Sequence, residues 1–418
     1  MGTKGWHRCG RRLRRLGTKD VSRGFSFLTL GLLTLSGAHM VTHVFGRIHT
    51  ALFPVFREEF HLSLQQLGVM ASIPPLCQAL FNIPSGLLTD RFGQKTLIIL
   101  SFVTAGSAAL AVGLSTSPIA LVIFLSILIA SVTIYHPPAY SLTSTLFPKA
   151  NRGRALGVHG AGGTLGMALG PITLSIFMGY LLLSWRSIYI FWAFPLFLYI
   201  LAIWRLKTPE AEESPGREEA PERAEARTPA TGMRSVLTPA IIGFMAFQAA
   251  RNMGNQMIDT FIPTYLHDAI GLTVSGASLI YGVASLTGVA AAPIGGYLTD
   301  RLGDKRWLQT AVGASALLLI LSALTSNIAL FALLYWSSGF FNYSGMGAAS
   351  SIIARATPAS RRGLGYSLYF LPGSVVNTVS PIIGAYIAEA FGLWNIFPAA
   401  VVVIVLSLVV LRLGVPSG

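Results

Sequence analysis

The chain has 418 residues, of which 53% are hydrophobic and only 11% are charged. Because a soluble domain carries about 25% charged residues, this composition excludes a soluble globular protein and predicts an integral membrane protein. The formal net charge of +14 does not indicate nucleic-acid binding, because its distribution along the chain follows the expected membrane topology.

Residues 1–23 form a basic tail rich in Arg and Lys. The apolar run that follows is long enough to span a membrane, which takes about 20 residues, and no clear small-residue cleavage site precedes it. We therefore interpret the segment as a cytoplasmic tail that orients the first helix and contacts anionic membrane lipid, rather than as a targeting peptide.

Twelve apolar runs follow, each long enough to cross a bilayer as a helix. Helices are favoured over strands because every run is continuous and does not alternate over ten-residue segments. The expected fold is an all-α membrane protein whose twelve transmembrane helices form two pseudo-symmetric six-helix bundles, at 24–204 and 238–413. The runs occupy about 24–46, 66–88, 97–115, 119–141, 154–178, 186–204, 238–266, 275–298, 307–325, 328–350, 364–389 and 394–412.

Residues 205–237 separate the two bundles and hold seven of the chain's 16 acidic residues together with four prolines. Such a stretch cannot bury a core and is expected to be a disordered or partly helical cytoplasmic linker. With both termini in the cytoplasm, nearly all Lys and Arg residues lie on the inner side, which is the arrangement that the positive-inside rule requires. The basic residues that do not lie on the inner side are Arg47, Arg57, Arg186 and Arg251. We expect a multi-pass protein of a bacterial inner membrane.

The chain contains an internal duplication. Seven of ten residues in Gly86–Lys95 recur in Gly296–Lys305, at an offset of 210. Repeats of this size within an apolar chain are typical of secondary transporters. The same offset relates Pro148 to Pro358, Arg152 to Arg362, Gly153 to Gly363 and Pro171 to Pro381.

Twelve spans in two halves, a long central loop and the G-x-L-x-D-R-x-G-x-K loop after the second span together resemble the major facilitator superfamily. The resemblance implies two six-helix bundles around a central cavity that opens to each side of the membrane in turn. It also implies that the repeated loop belongs to a cytoplasmic gate. The gate residues are Gly86, Asp90, Arg91, Gly93, Lys95 and Arg152 in the first half, and Gly296, Asp300, Arg301, Gly303, Lys305 and Arg362 in the second.

The resemblance places the two gate carboxylates against helix starts in the opposite half. Asp90 is expected to face the start of span 11, and Asp300 the start of span 5. A carboxylate beside a helix N-terminus is favourable by about 0.3–1 kcal/mol, and this contact forms only while the cytoplasmic side is closed. The gate cations either pair across the same gate or act as ordinary positive-inside anchors; these are Arg91, Lys95, Arg301 and Lys305.

Span 5 contains Gly157, Gly166, Gly170 and Pro171. This spacing is similar to the glycine-rich fifth-helix motif of the superfamily's drug:proton antiporters, which implies proton-coupled export. Small residues let two helices approach closely, so the alternative interpretation is helix packing with no bearing on transport direction.

Two further stretches resemble the fosmidomycin-resistance branch of the superfamily. They are Gly37–His43 in span 1 and Tyr135–Pro137 in span 4. Where that branch often has acids, this chain has His43 and Pro138.

Span 1 places His39, His43 and Arg47 on one helix face, at spacings of four residues. Histidine changes charge near neutral pH, so the pair can carry a proton, and the arginine can bind an anionic or carbonyl group. The alternatives are structural hydrogen bonds to neighbouring helices or a metal site. No third ligand is assignable from the sequence, so we predict no metal.

Ionisable residues inside spans are functional-site hypotheses by default. Asp259 in span 7 is the repeat partner of His49, and Glu389 lies near the outer end of span 11. His136 precedes two prolines that are expected to kink or end span 4. A structural role is the alternative for each. Together with the span-1 residues, the predicted substrate and proton pathway comprises His49, His136, Arg251, Asn255, Asp259, Asn342, Asn377 and Glu389.

The sequence contains no nucleophile elbow, phosphate loop or nucleotide motif. We therefore predict neither an enzyme nor an ATP-driven pump, and no cofactor. The expected function is secondary transport of a small organic compound, as a monomer, in proton-coupled export. The alternatives are proton-coupled uptake of an anionic metabolite, with Arg47 and Arg251 holding the anion, and a transporter-like sensor that signals through the linker. The expected partners are the small-molecule substrate, protons and membrane lipid, and no nucleic acid.

Overall fold

The computed structural model describes residues 29–206, 237–357 and 362–415. The predicted basic tail and nearly all of the predicted linker lie outside these ranges. Of three predicted gate residues, Gly86, Asp90 and Arg362, only the backbone is described, and it lies in helices.

Helices make up almost all of the described residues, which contain no β-strand. Two of the helices, α6 and α8, each continue into one π-helical turn, at Ile176–Tyr180 and Tyr265–Ala269. The helices are α1 Leu30–Ala51, α2 Phe53–Glu59, α3 Leu64–Phe92, α4 Gln94–Gly113, α5 Pro118–Thr145, α6 Lys149–Ser175, α7 Arg186–Arg205, α8 Pro239–Thr264, α9 Val274–Leu302, α10 Asp304–Ala323, α11 Ile328–Ser344, α12 Met346–Ala356, α13 Arg362–Phe391 and α14 Ile396–Gly414.

Seven segments of the described chain are long and apolar enough to cross a membrane. This number is smaller than the twelve spans predicted from the sequence. Polar side chains explain part of the difference, because α1 carries histidines and an arginine while α8 carries two ionisable residues and several amides. The seven are Gln94–Gly113, Pro118–Thr145, Asn151–Tyr180, Arg186–Arg205, Val274–Leu302, Asp304–Ala323 and Leu393–Gly414.

The internal duplication is visible in the helix boundaries. Both α3 and α9 contain 29 residues, both α4 and α10 contain 20, and the bounds of each pair differ by 210 positions. Gly93 and Gly303 join these helices with φ angles of 80° and 81°. Glycine adopts positive φ without steric cost, which explains the last glycine of the repeated loop.

The helix starts repeat as well. Ser63 begins α3 in a capping box with Gln66, and Thr273 caps α9 at the matching position. Ser117 and Asn327 cap α5 and α11 in the same way. These side chains satisfy backbone N–H groups that have no partner within the helix.

The helices form two halves, α1–α7 and α8–α14, which pack against each other through α3 with α13, α6 with α9, and α1 with α8. We call the end of the bundle at Leu30 and Gly414 the terminal face, and the opposite end the far face. Each half contains a buried apolar core, and the two cores are continuous.

The far face is held closed by contacts between the halves. Arg57 forms an ion pair with Asp268, and Glu58 accepts a hydrogen bond from His267 at 3.0 Å. Close to them, Gly68 lies against the backbone of α13, where a Cβ would be 2.8 Å from a carbonyl oxygen. These contacts place the tightest described junction between the halves at the far face.

Candidate functional site: a polar cavity between the halves

A cavity of about 420 Å³ lies between the halves, and a second of about 230 Å³ shares five lining residues with it. Of the lining residues that the structure describes, only Arg47 and Met167 come from the first half. The second half supplies a wall of amides, hydroxyls and aromatic rings, which suits a small polar ligand. This wall includes Asn252, Asn255, Gln256, Asp259, Ser285, Tyr335, Asn342, Tyr343 and Asn377.

An ion pair joins the two halves at the wall of this cavity. Arg47 Nη1 lies 2.7 Å from Asp259 Oδ1, and both side chains are partly buried. The Tyr281 hydroxyl donates to Asp259 Oδ2 at 3.4 Å, and the Arg47 guanidinium lies 4.8 Å from the centre of the Tyr281 ring. Removing one member of such a pair leaves the other charge poorly compensated.

A second arginine binds the wall of amides, hydroxyls and aromatic rings in the second half, which we call the amide wall. Arg251 is only 5% exposed and donates to both the main-chain and side-chain oxygens of Asn342, at 2.8 and 2.7 Å. Asn255 donates to the Arg251 carbonyl at 3.0 Å. The structure therefore brings together three residues that the sequence predicted separately, and it places them on α8 and α11.

Four histidines from α1, α5 and α6 form a cluster in the first half, which we call the histidine cluster: His39, His43, His136 and His159. The Nε2 atoms of His43 and His136 lie 3.1 Å apart. The His39 and His159 rings stack with centroids 4.2 Å apart. His43 and Arg47 are one helical turn apart on α1, so the cluster lies one turn closer to the terminal face than the ion pair.

His159 was not among the predicted pathway residues, and α5 was expected to kink or end at its prolines. The helix does not end there but continues through Pro137 and Pro138. The hydroxyl of Tyr135 reaches the Leu35 carbonyl on α1 at 3.1 Å, so α5 packs against α1 there.

Two predicted pathway residues, His49 and Glu389, form hydrogen bonds away from the cavity lining. His49 lies 3.2 Å from the Phe45 carbonyl of its own helix, whereas Asp259 binds Arg47 and Tyr281. Glu389 accepts a hydrogen bond from the Leu64 backbone N–H at 3.0 Å and thereby caps the start of α3 across the halves. The positive end of the helix dipole favours a carboxylate at that position.

The sequence left two roles open for the gate lysines, pairing across the gate or anchoring, and their described partners lie within their own half. Lys95 donates to the carbonyls of Trp204 and Leu206 at 2.9 and 3.0 Å, and Lys305 donates to the carbonyls of Arg412 and Val415. Both therefore bind the last helix of their own half. The final carbonyls of a helix lack internal partners and carry partial negative charge, which explains the preference.

The other described gate residues lie at the terminal face. Asp300 is exposed at the end of α9. Arg152 donates to the Ser144 carbonyl at 2.9 Å, within the first half. Arg91 and Arg301 each lie beside an aromatic ring of their own helix, and Gly296 has open space where a side chain would stand.

Glycines of α6 allow it to lie directly on the backbone of α1. A Cβ at Gly166 would be 2.0 Å from the Met40 carbonyl oxygen, and one at Gly170 would be 2.5 Å from that of Val44. Gly162 is placed in the same way, at 2.3 Å from the Ser36 oxygen. Each pair is separated by 126 positions in the sequence, so the two parallel helices keep one register. Gly157 has open space beside it, and Pro171 lies inside α6.

Two titratable groups at the far face have shifted pKa values. Burial opposes protonation of His267, but hydrogen bonds to the Leu272 carbonyl and to Glu58 outweigh it and raise the pKa. Burial would raise the pKa of Glu59, yet hydrogen bonds from Arg186 and from the Trp185 ring lower it. The distance from Trp185 Nε1 to the carboxylate is 2.7 Å.

Known proteins with similar sequences include several that are named as transporters. The chain is 25% identical over 402 residues to the hexuronate transporter of Bacillus subtilis, covering 87% of this chain and 90% of that one. It is 26% identical over 379 residues to the multidrug resistance protein MdtG of Proteus mirabilis, covering 85% and 88%. The match to a probable nitrate/nitrite transporter of Mycobacterium tuberculosis is 24% identical over 272 residues and spans 66% of that protein, slightly less than two thirds.

The fold has a solved counterpart in a bacterial homologue of the human lysosomal transporter Spinster, in an inward-facing and occupied conformation. The TM-score is 0.77 at 18% identity, covering 92% of this chain and 96% of that one. The family model of the Major Facilitator Superfamily matches residues 35–288 and 244–417. Together these matches cover nearly the whole chain, which belongs to the Major Facilitator Superfamily.

Proposed function

We propose that this chain is a proton-coupled secondary transporter that exports a small organic compound by alternating access. The observation that carries the proposal is the Arg47–Asp259 ion pair, which joins the two halves at 2.7 Å on the wall of a polar cavity. Alternating access requires contacts that hold one face closed and that the substrate or the coupling ion can release.

The proposed state is inward-facing. The contacts described between the halves lie toward the far face, which leaves the terminal face as the side from which the cavity is reached. The distribution of Lys and Arg along the sequence favours a cytoplasmic terminal face. The similar Spinster homologue was also solved in an inward-facing state.

The chemistry of the ion pair supports exchange of substrate for protons. A proton on Asp259 neutralises the carboxylate that holds Arg47, and a polar substrate group that binds either side chain displaces the same contact. Proton and substrate therefore compete for one site, and either one weakens the junction between the halves. Export is further supported by the glycine-rich α6 and by the similarity to MdtG, a protein named for multidrug resistance.

The test uses the purified chain in liposomes with an acidic interior. A substrate is first selected as the compound that most raises the melting temperature, because ligands that bind the folded state stabilise it by mass action. An antiporter accumulates this compound on the acidic side. We expect Asp259→Asn to reduce pH-driven accumulation at least tenfold while retaining substrate exchange between equal pools, because asparagine imitates the protonated carboxylate.

Asp268→Asn is the matched control. Asp268 also belongs to the second half and also binds an arginine of the first half, but it lies outside the cavity lining. We expect this variant to weaken the closed far face but to lower pH-driven accumulation much less than Asp259→Asn does, because it leaves the cavity carboxylate in place. Equal accumulation by Asp259→Asn and the unmodified chain would contradict the coupling role of the ion pair.

The second candidate is proton-coupled uptake of an anionic metabolite. It is favoured by Arg251, which is buried beside the amide wall, and by similarity to proteins named for hexuronate and for nitrate or nitrite transport. The same liposomes separate the two candidates, since a symporter accumulates its substrate on the alkaline side.

A further inference from the structure

We infer that His39, His43 and His136 form a binding site for a divalent transition-metal ion of the Zn²⁺, Ni²⁺ or Co²⁺ type. Each of the three side chains offers one ring nitrogen, and these nitrogens lie within 4.8 Å of one another. Two of the histidines come from α1 and the third from α5, so the site exists only because these helices are packed together.

The distances suit a metal that binds imidazole. Zn–N bonds are about 2.0–2.1 Å long, so nitrogens around a tetrahedral ion are separated by about 3.3 Å. The Nε2 atoms of His43 and His136 are already 3.1 Å apart. The ligand nitrogen of His39 lies within 4.8 Å of the other two.

The other nitrogens of two rings are held as metal ligands usually are. His136 Nδ1 lies 2.8 Å from the Val132 carbonyl, and His39 Nδ1 lies 2.7 Å from the His159 carbonyl. A carbonyl can only accept, so Nδ1 carries the proton in both rings and the Nε2 lone pair is left for a ligand. Backbone carbonyls commonly orient metal-binding histidines in this way.

One nitrogen of the site lacks a partner. His39 is 3% exposed, and its Nε2 has no hydrogen-bond partner among the described residues. A buried acceptor without a partner costs about 1–3 kcal/mol, so its retention calls for an explanation. A bound cation supplies the missing partner and also replaces the contact between the two other Nε2 atoms.

The ligand set defines the class of ion. Three neutral imidazoles without thiolate or carboxylate favour borderline ions over Mg²⁺ or Ca²⁺, which prefer oxygen. Three protein ligands leave a fourth position for water or for a donor atom of the substrate. The ion would tie α1 to α5 within the first half, so binding would not by itself lock the two halves together.

The test is a metal titration of the full chain in detergent, after removal of any polyhistidine tag. We expect one Zn²⁺ per chain by calorimetry, and X-ray absorption should show three imidazole nitrogens at about 2.0–2.1 Å. His43→Gln and His136→Gln should each weaken binding at least tenfold. His61→Gln, an exposed histidine at the far face, should leave the affinity unchanged.

The result that would overturn the inference is a chain that binds no stoichiometric Zn²⁺, or one whose ion has other ligands by X-ray absorption. This spectrum needs no variant, so it decides the matter even if a histidine substitution prevents folding. Equal weakening in His61→Gln and His43→Gln would count against the site as well. Melting curves in a chelator show whether each variant is folded.

Discussion

The packing of α6 on α1 predicts that Gly166→Ala destabilises the protein. The added methyl group would lie 2.0 Å from the Met40 carbonyl oxygen and 3.0 Å from the His43 Cβ, whereas unstrained heavy-atom contacts are at about 3.5–4.0 Å. The nearer atom belongs to the backbone, so no rotamer change relieves the clash and the helices must separate by about an ångström or more.

Overpacking of this kind costs about 1–3 kcal/mol. Alanine has a higher helix propensity than glycine, which stabilises the folded variant by about 0.5–1 kcal/mol. The expected net change for Gly166→Ala is therefore a loss of about 1–2 kcal/mol. Thermal unfolding of the purified chain in one detergent, followed by tryptophan fluorescence, gives the direction of the change.

Gly157→Ala is the control on the same helix. Nothing lies within 4 Å of the methyl position there, so only the propensity gain remains and we expect a slightly higher melting temperature. Opposite shifts for one substitution at two positions separate packing from propensity. A Gly166→Ala protein that melts at or above both the unmodified chain and Gly157→Ala would refute the register between α1 and α6.

Three further predictions concern the far face. Glu389→Gln removes the anionic cap that α3 receives from the other half, so cysteine-accessibility labelling should show a larger fraction of molecules open at the far face. The raised pKa of His267 means that the protonated ring binds Glu58 more strongly than the neutral ring does. This bond therefore stabilises the closed far face fully below the ordinary histidine pKa of about 6.5. The stabilisation is lost as pH rises through the raised pKa. Labelling of the far face should therefore increase with pH, and Glu58→Gln should flatten that dependence, with a small effect because the pair is exposed. The pKa of Glu59 is lowered, so the sign is opposite. Its bonds to Arg186 stabilise the protein fully above the ordinary pKa of about 4.5 and are lost as pH falls through the lowered pKa. Glu59→Gln should therefore lower the melting temperature at pH 7, and the difference from the unmodified chain should shrink as the pH falls below 4.5.

The sequence predicted the parts of the structure that depend on local patterns. Continuous apolar runs located the long helices, and the offset of 210 related α3 to α9 because both halves fold alike. The repeated loop also pointed to Gly93 and Gly303, whose positive φ angles of 80° and 81° require glycine. These features follow from neighbouring residues and from one internal comparison.

The partners of charged residues depend on how helices are rotated against one another, which a single sequence does not contain. Asp259 was related to His49 through the repeat, but its ion-pair partner is Arg47. His136, the third member of the proposed metal site, could not be assigned from the sequence for the same reason. Nothing in the order of residues shows that α5 lies against α1 at that height.

The lysines show a different limit. A cation at the end of a span suits both a gate and an anchor. In the structure, Lys95 and Lys305 bind the carbonyls at the end of α7 and of α14, each in its own half. Both lysines lie at the terminal face. Each binds the nearest helix-end carbonyls that have no partner within their own helix.

Contacts that recur at the offset of 210 hold each half together. Gln94 donates to Ser141 at 2.6 Å, and Ser351 donates to Asp304 at 3.0 Å at the matching positions of the second half. Each bond ties the start of one helix to the end of the span that follows it. Since they act within a half, the proposed movement of the halves against each other would leave them intact.

The cavity chemistry, in contrast, is divided between the halves. The first half contributes Arg47, while the second contributes Asp259 and the amide wall. The repeat partner of Arg47 is Met257, so no second copy of the ion pair can form at the matching positions. A ligand that binds both the cation and the carboxylate must therefore contact both halves at once. In the proposed mechanism, such binding changes the position of the two halves relative to each other.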